Sequence, residues 1–193
     1  MSIDDRIRWD QRYRYPKREP SNHARQLLMD HFDLLPREGI VLEVAMGIGQ
    51  NAKPLLEHGL KVIGVDISLV AVQKAKQTYP NLMATVADLN HLYFPSNYFD
   101  VVLNFYYLQR DLWKDFFRIL KPGGILFLET LTQDIQSVRS DIATQYLLNP
   151  KELTTAFSNW SILYSREGWI DSYHGQKKAI ASIIAQKPVI NSC

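Results

Sequence analysis

Leu42-Glu43-Val44-Ala45-Met46-Gly47-Ile48-Gly49 reads as a buried strand that ends in a carboxylate and turns at once through two glycines into a helix. Nineteen residues past Gly47, the run Lys61-Val62-Ile63-Gly64-Val65-Asp66 gives a second strand ending in acid. Strand, glycine turn, helix and acid-ended strand make half of a nucleotide-binding α/β fold. Small turn residues let the backbone approach a ligand closely, and Asp66 can accept two hydrogen bonds from a ribose diol. An adenosine-containing ligand is the expectation.

Outward from this core, strand and helix patterns alternate. Ile40–Ala45 is the first strand, followed by helical spacing over Asn51–His58, with Pro54 tolerated in the first turn and Gly59 as a stop. Ser68 is the expected N-cap of a helix running to about Tyr79, where Pro80 ends it. Leu82–Ala87 and Phe99–Asn104 read as strands three and four, and Asp111–Leu120 as a helix with Leu112, Phe116 and Ile119 on one side. Lys121-Pro122-Gly123-Gly124 predicts a sharp reversal into a fifth strand, Ile125–Leu131. Ile162–Tyr173 and Lys177–Gln186 are strand-like and separated by His174-Gly175-Gln176, a hairpin signal, so the last two strands are expected to be antiparallel. Met1–Pro36, with a helix near His23–His31, and Thr132–Phe157 contribute no strand and are candidates for a lid.

At 193 residues the chain is expected to form one domain, with residues 1–36 as an N-terminal helical lid segment and 37–186 as the core. The 46% apolar and 22% charged composition is that of an ordinary globular protein. A net charge of +2 makes no case for a nucleic-acid surface. Cys193 is the single cysteine, so an intramolecular disulfide and a cysteine-based zinc cluster are excluded. The five histidines lack ligand spacing, and no metal is expected. The charged start and the lack of any apolar run near ~18 residues imply a cytoplasmic chain without a membrane partner.

Gly47-Ile48-Gly49-Gln50-Asn51-Ala52 also fits the dinucleotide pattern G-x-G-x-x-A, which leaves an NAD(P)-dependent oxidoreductase as one reading. Three features point away from it. Glu43 would repel a pyrophosphate at the helix start but suits a ligand bearing an ammonium or sulfonium charge. Ala87-Asp88-Leu89 places an acid after strand three, where an adenine amino group can donate to it. The terminal hairpin belongs to a seven-strand plan with no second domain for a hydride-transfer substrate.

Together, Leu42–Gly49, Gly64-Val-Asp-Ile-Ser68, Ala87-Asp88-Leu89 and Leu120-Lys-Pro-Gly-Gly124 resemble the class I S-adenosylmethionine-dependent methyltransferases, from about Ile40 to Gln186. The resemblance implies a doubly wound, mostly parallel seven-stranded α/β sheet of order 3-2-1-4-5-7-6, the inserted last strand antiparallel and helices on both faces. Asn104-Phe-Tyr-Tyr-Leu-Gln-Arg110, Glu129–Thr132, Leu147–Leu153 and Ala179–Lys187 are similar to the small tellurite-resistance-type and related small-molecule methyltransferases. In this family the cofactor is S-adenosyl-L-methionine and the partner here a small-molecule acceptor, with a monomer or homodimer expected. One departure is Ala45, which stands at the first glycine of the family's acid-x-G-x-G-x-G loop.

The resemblance carries cofactor roles onto Glu43 (methionyl ammonium), Ala45, Gly47 and Gly49 (close backbone approach), Asp66 (ribose), its neighbour Ile67, Asp88 and Leu89 (adenine) and the Asn104 backbone. The plainer reading of Glu43 is a strand-end acid capping the next helix, and of Asp88 a turn-capping aspartate. Catalytic candidates are Tyr107, a packing residue otherwise, Arg110, which either holds an anionic substrate or pairs with Asp111, and His174 at the hairpin tip, a base or a turn residue. Asn104-Phe-Tyr-Tyr107 echoes the Asn-Pro-Pro-Tyr box of amino-methylating enzymes but lacks both prolines. Trp9, Tyr13 and Tyr15 either close over the cofactor or pack on the scaffold. No Asp-His pair offers a base, which favours either an acceptor that is already a soft anion or a base not evident in the sequence. A module that binds the cofactor without transfer is the alternative function.

Overall fold

The computed structural model describes residues 3–16, 21, 23–91, 93–171, 175 and 177–189. Strand β1 (Ile40–Val44) lies at the centre of the sheet, and its buried run, apolar but for Glu43, suits a strand covered on both faces. It pairs in parallel with β2 (Lys61–Asp66) and β4 (Phe99–Phe105). Strand β3 (Met83–Val86) continues the parallel ladder beyond β2, and β5 (Leu120–Leu131) continues it beyond β4. Strand β7 (Lys177–Gln186) runs antiparallel to both β5 and β6 (Ser161–Asp171). The order is β3-β2-β1-β4-β5-β7-β6, as the resemblance implied.

Two cores flank this sheet. On one face Leu42, Val44, Leu126 and Leu128 meet Phe116 and Ile119 of α5 (Leu112–Ile119) and Leu153 of α6 (Glu152–Ala156). On the other, Val41, Leu103 and Phe127 meet Leu28 of α2 (Gln26–Asp30), Leu55 of α3 (Ala52–Glu57) and Val72 and Ala75 of α4 (Leu69–Thr78). Each large side chain buried this way contributes about 1.5–3 kcal/mol. Ser68 caps α4 as expected, its hydroxyl accepting from the Ala71 N–H at 3.1 Å.

Two elements differ from expectation. The Lys121–Gly124 reversal lies inside β5, which starts at Leu120 opposite Phe99 and resumes at Ile125 opposite Val101. The extra residues are absorbed as a bulge between those pairs. A Cβ on Gly124 would stand 2.9 Å from the Lys121 carbonyl oxygen, and Lys121 Nζ holds both Asp100 carboxylate oxygens at 2.8 and 2.9 Å. The second difference is at the N-terminus, where Ile3–Arg14 forms helix α1, with Asp4 and Asp5 in its first turn and Arg12 and Arg14 in its last. That charge order complements the helix dipole.

Helix α1 docks onto the start of α4. One oxygen of Asp10 accepts from the Ser68 hydroxyl at 2.6 Å and from the Val70 N–H at 3.1 Å, while Lys74 Nζ donates to the Tyr13 carbonyl at 2.6 Å. Asp10 therefore acts as a second cap for α4, supplied from 58 residues away. Asp10→Ala is expected to cost about 1 kcal/mol of stability and to speed amide exchange across Ile3–Arg14 more than elsewhere. Thermal unfolding and hydrogen-exchange mass spectrometry read the two effects.

Candidate active site

The turn after β1 is built from left-handed residues at every second position: Ala45 at φ +50°, Gly47 at +59° and Gly49 at +74°. Gly49 accommodates helix–strand packing, since a Cβ there would lie 3.1 Å from Leu82 Cδ2 and 3.4 Å from Ala75 Cβ. Gly47 faces Tyr13 of α1, whose phenol oxygen stands 2.6 Å from where a Cβ would be. Ala45 occupies the same strained region with a side chain, at a cost of roughly 1–2 kcal/mol. Ala45→Gly relieves that strain but frees the unfolded backbone, so a net gain near 1 kcal/mol is expected by chemical denaturation.

Two carboxylates converge on this turn. Asp66, at the end of β2, accepts from the Gly47 N–H at 2.7 Å with one oxygen and from the Ser68 N–H at 2.9 Å with the other. It thereby pins the glycine turn to the start of α4. Burial raises its pKa, outweighing those two N–H groups. Glu43 is 3% exposed and reaches sideways to Asn51, whose side-chain N–H donates to Oε1 at 2.6 Å. Asn51 in turn accepts from the Arg25 N–H at 2.8 Å. The second oxygen of Glu43 is buried with no hydrogen-bond partner. Burial pushes the Glu43 carboxyl up to about 7, against the pull of Asn51 and the Arg25 charge. A buried acceptor without a donor costs about 1–3 kcal/mol, and a cationic group placed there would remove that cost.

Tyr13 closes this corner from above. Burial and the Asp66 carboxylate push its phenol pKa up. Trp9 lies alongside, ring centroids 6.0 Å apart. Ile67 follows Asp66 and is half-buried. Ala87 donates its N–H to the Asp66 carbonyl at 3.0 Å, so the Asp88-Leu89 pair leaves the sheet next to Asp66. Asp88 accepts from the Asn90 N–H at 2.9 Å, making the turn cap, and Leu89 is buried in the α5-side core. Asn104 pairs with Val44 in the ladder and is fully buried. Both atoms of its amide lack a partner. Glu43, Gly47 and Asp66 thus form one corner, with Asn104 on the neighbouring strand.

The remaining candidates spread out. Tyr107 donates to Gln109, which donates to Asn90 at 2.6 Å, a surface chain beside Asp88. Arg110 pairs with Glu152 rather than with Asp111, and also donates to the Leu147 carbonyl at 2.9 Å and the Gln145 carbonyl at 3.2 Å. It clamps the loop after β4 to the start of α6 with its donors already engaged. His174 lies outside the described residues. Sequence reasoning missed Asn51 and Arg25 as Glu43's partners and Asp10 as the anchor of α1. Only the acid-first, base-last order of α1 offered a signal.

Residues 42–128 match the family model described as a methyltransferase domain. A curated relative, the demethylmenaquinone methyltransferase of Renibacterium salmoninarum, is 28% identical over 129 residues, covering 64% of this chain and 54% of its own length. The chain thus spans about half the length of that relative. Among solved structures, an S-adenosylmethionine-dependent methyltransferase from Methanosarcina mazei superposes with a TM-score of 0.72 at 20% identity, covering 86% of this chain and 99% of that one. TehB from Haemophilus influenzae gives 0.72 at 17% identity, covering 94% and 66%. A parallel sheet interrupted by one antiparallel strand, an acid with one bare oxygen beside a glycine turn, and a match that opens on the strand bearing that acid converge: over residues 42–128 the chain is similar to the methyltransferase domain, and it has the fold of the S-adenosylmethionine-dependent methyltransferase it superposes on.

Proposed function

We propose that this chain transfers the methyl group of S-adenosylmethionine to a small-molecule acceptor. The observation that carries the reading is the bare, buried oxygen of Glu43 beside the left-handed turn. An acid held there without a donor fits an ammonium-bearing ligand and opposes a pyrophosphate. Glu43 and the backbone of Ala45, Gly47 and Gly49 would hold the methionyl end, Asp66 and Ile67 the ribose, Asp88 and Leu89 the adenine. Asn104 would line the methyl end from β4. When bound, the cofactor supplies a methyl group already activated on a sulfonium. The chain's own work is then alignment and water exclusion, worth on the order of 7–11 kcal/mol in well-oriented systems.

In this reading residues 1–36 cover the site and 37–186 form the core of one domain, supported by the docking of α1 on α4 through Asp10. We assign no nucleic-acid partner, on a net charge of +2, and a cytoplasmic monomer or homodimer. No helix among the described residues is long and apolar enough to cross a membrane.

Calorimetry with S-adenosylhomocysteine, combined with transfer of tritiated methyl into the small-molecule fraction of a cell extract, tests the proposal. Heat with S-adenosylhomocysteine and a labelled small molecule are expected. Tight binding without product across many acceptors would leave a cofactor-binding module, and absence of binding would overturn the reading.

A further inference from the structure

Beyond the Glu43 corner, the same sheet face carries a second polar cluster. Tyr106 follows β4 in the left-handed region, φ +56°, and its N–H donates to the Glu129 carbonyl at 2.7 Å. For a tyrosine this backbone conformation is costly, and it turns the ring toward two cations. Arg25 Cζ and Lys178 Nζ each lie 4.7 Å from the ring centroid. Behind the ring, Glu129 is buried on β5 and accepts from the Ser182 hydroxyl of β7 at 2.7 Å.

Among the described residues neither the Arg25 guanidinium nor the Lys178 ammonium has an ion-paired carboxylate, and both rest on the Tyr106 ring. Glu129 is the acid in the cluster, and one of its oxygens is taken by Ser182. Two half-buried cations thus lie near the buried acids Glu129 and Glu43 without an ion pair to either. Burial and the Arg25 charge hold the Lys178 pKa below its ordinary value, so an added negative charge would be welcome there. No atom lies within 4 Å of the Cβ position of Gly168 on β6, which is opposite Ile180 of β7. Space is therefore open beside the cluster.

The position suits an acceptor site. Glu129 is opposite Phe105, Phe105 precedes Tyr106, and Asn104 before it is opposite Val44, the residue after Glu43. Two strand spacings of about 4.8 Å separate the β1 and β5 residues. We propose that Arg25 and Lys178, gathered on Tyr106 above the Glu129–Ser182 pair, receive the methyl acceptor and select one whose attacking atom is an anion of the phenolate class. This rests on the methyltransferase reading and adds to it the acceptor's chemistry. The phenolate oxygen forms the new bond to the methyl carbon as the carbon–sulfur bond of the donor breaks, and that electron pair stays on sulfur. The acceptor arrives without its proton, so no base is required, and Lys178 and Arg25 stabilise the charge before transfer.

The probes are 4-nitrophenol and its neutral methyl ether, 4-nitroanisole, added to the full chain saturated with S-adenosylhomocysteine near the phenol's own pKa. Absorbance of the phenolate reads ionisation on binding, and equilibrium titration reads affinity. The phenol is expected to bind as phenolate, more ionised than in free solution and at least tenfold tighter than the ether. Lys178→Met is expected to lose that tenfold preference while S-adenosylhomocysteine still binds by calorimetry, and Lys178→Arg to keep it. Equal affinity for the two probes, no gain in ionisation, or no binding of either would overturn the proposal, and this comparison needs only the unaltered chain. Failure of S-adenosylhomocysteine itself to bind would instead bring down the methyltransferase reading on which the proposal stands.

Discussion

Glu43→Gln is expected to raise the unfolding temperature of the ligand-free chain above neutral pH and to remove most of its affinity for S-adenosylhomocysteine. The carboxyl is pushed up to about 7 from 4.5, chiefly by burial, so the folded chain holds this proton more tightly than the unfolded one. Its contribution to stability therefore declines as pH rises from 4.5 to about 7 and is level above that, a loss of about 3 kcal/mol in all. Glutamine keeps an oxygen for Asn51 and sets a neutral amide in place of the bare oxygen. The gain at pH 8 should be roughly 5–10 °C in Tm. Binding runs the other way. A cationic ligand needs the carboxylate, so affinity in the parent chain should fall by up to tenfold for each pH unit below about 7 and level off above it. The glutamine variant should show no such slope and should lose about 2–5 kcal/mol of binding. Calorimetry across pH 6 to 8 checks both, and a parent chain with flat affinity would separate Glu43 from the ligand's charge.

Asp66→Ala carries the second large effect, and it acts on the free chain as well as on the complex. Removing the carboxylate takes the acceptor from the Gly47 and Ser68 N–H groups, each of which then lacks its partner. Unmet donors of this kind cost about 1–3 kcal/mol apiece, so stability should fall measurably in denaturant titrations. Cofactor binding should weaken by roughly 1.5–3 kcal/mol through two lost charged hydrogen bonds. Asp66→Asn separates the contributions, because one amide oxygen can serve one N–H while the amide nitrogen confronts the other donor. An alanine variant that unfolds earlier yet binds with unchanged affinity would confine Asp66 to holding the loops.

The sheet was legible because its signals are local. Glu43, Gly47 and Asp66 stand where an apolar run stops, and β7 spans Lys177–Gln186 as its composition predicts. Ser68 could be read as a cap because its bond closes three residues on. What escaped reading depends on contacts made far along the chain. Helix α1 has no apolar stripe wide enough to mark it and is held by a carboxylate 58 residues from its partner. Arg110 finds Glu152, 42 residues away, in preference to its neighbour Asp111. The Arg25–Tyr106–Lys178 gathering joins three segments that carry no shared pattern.

The phenol oxygen of Tyr13 beside Gly47 has a consequence for which residues the turn will admit. Position 47 excludes a side chain twice, once by its dihedral and once by the crowding of that oxygen. Asparagine tolerates the first restriction but meets the second, whereas shortening Tyr13 to phenylalanine clears the space without touching the dihedral. Substitutions at 13 and 47 are therefore non-additive, two distant stretches of chain sharing a single steric constraint.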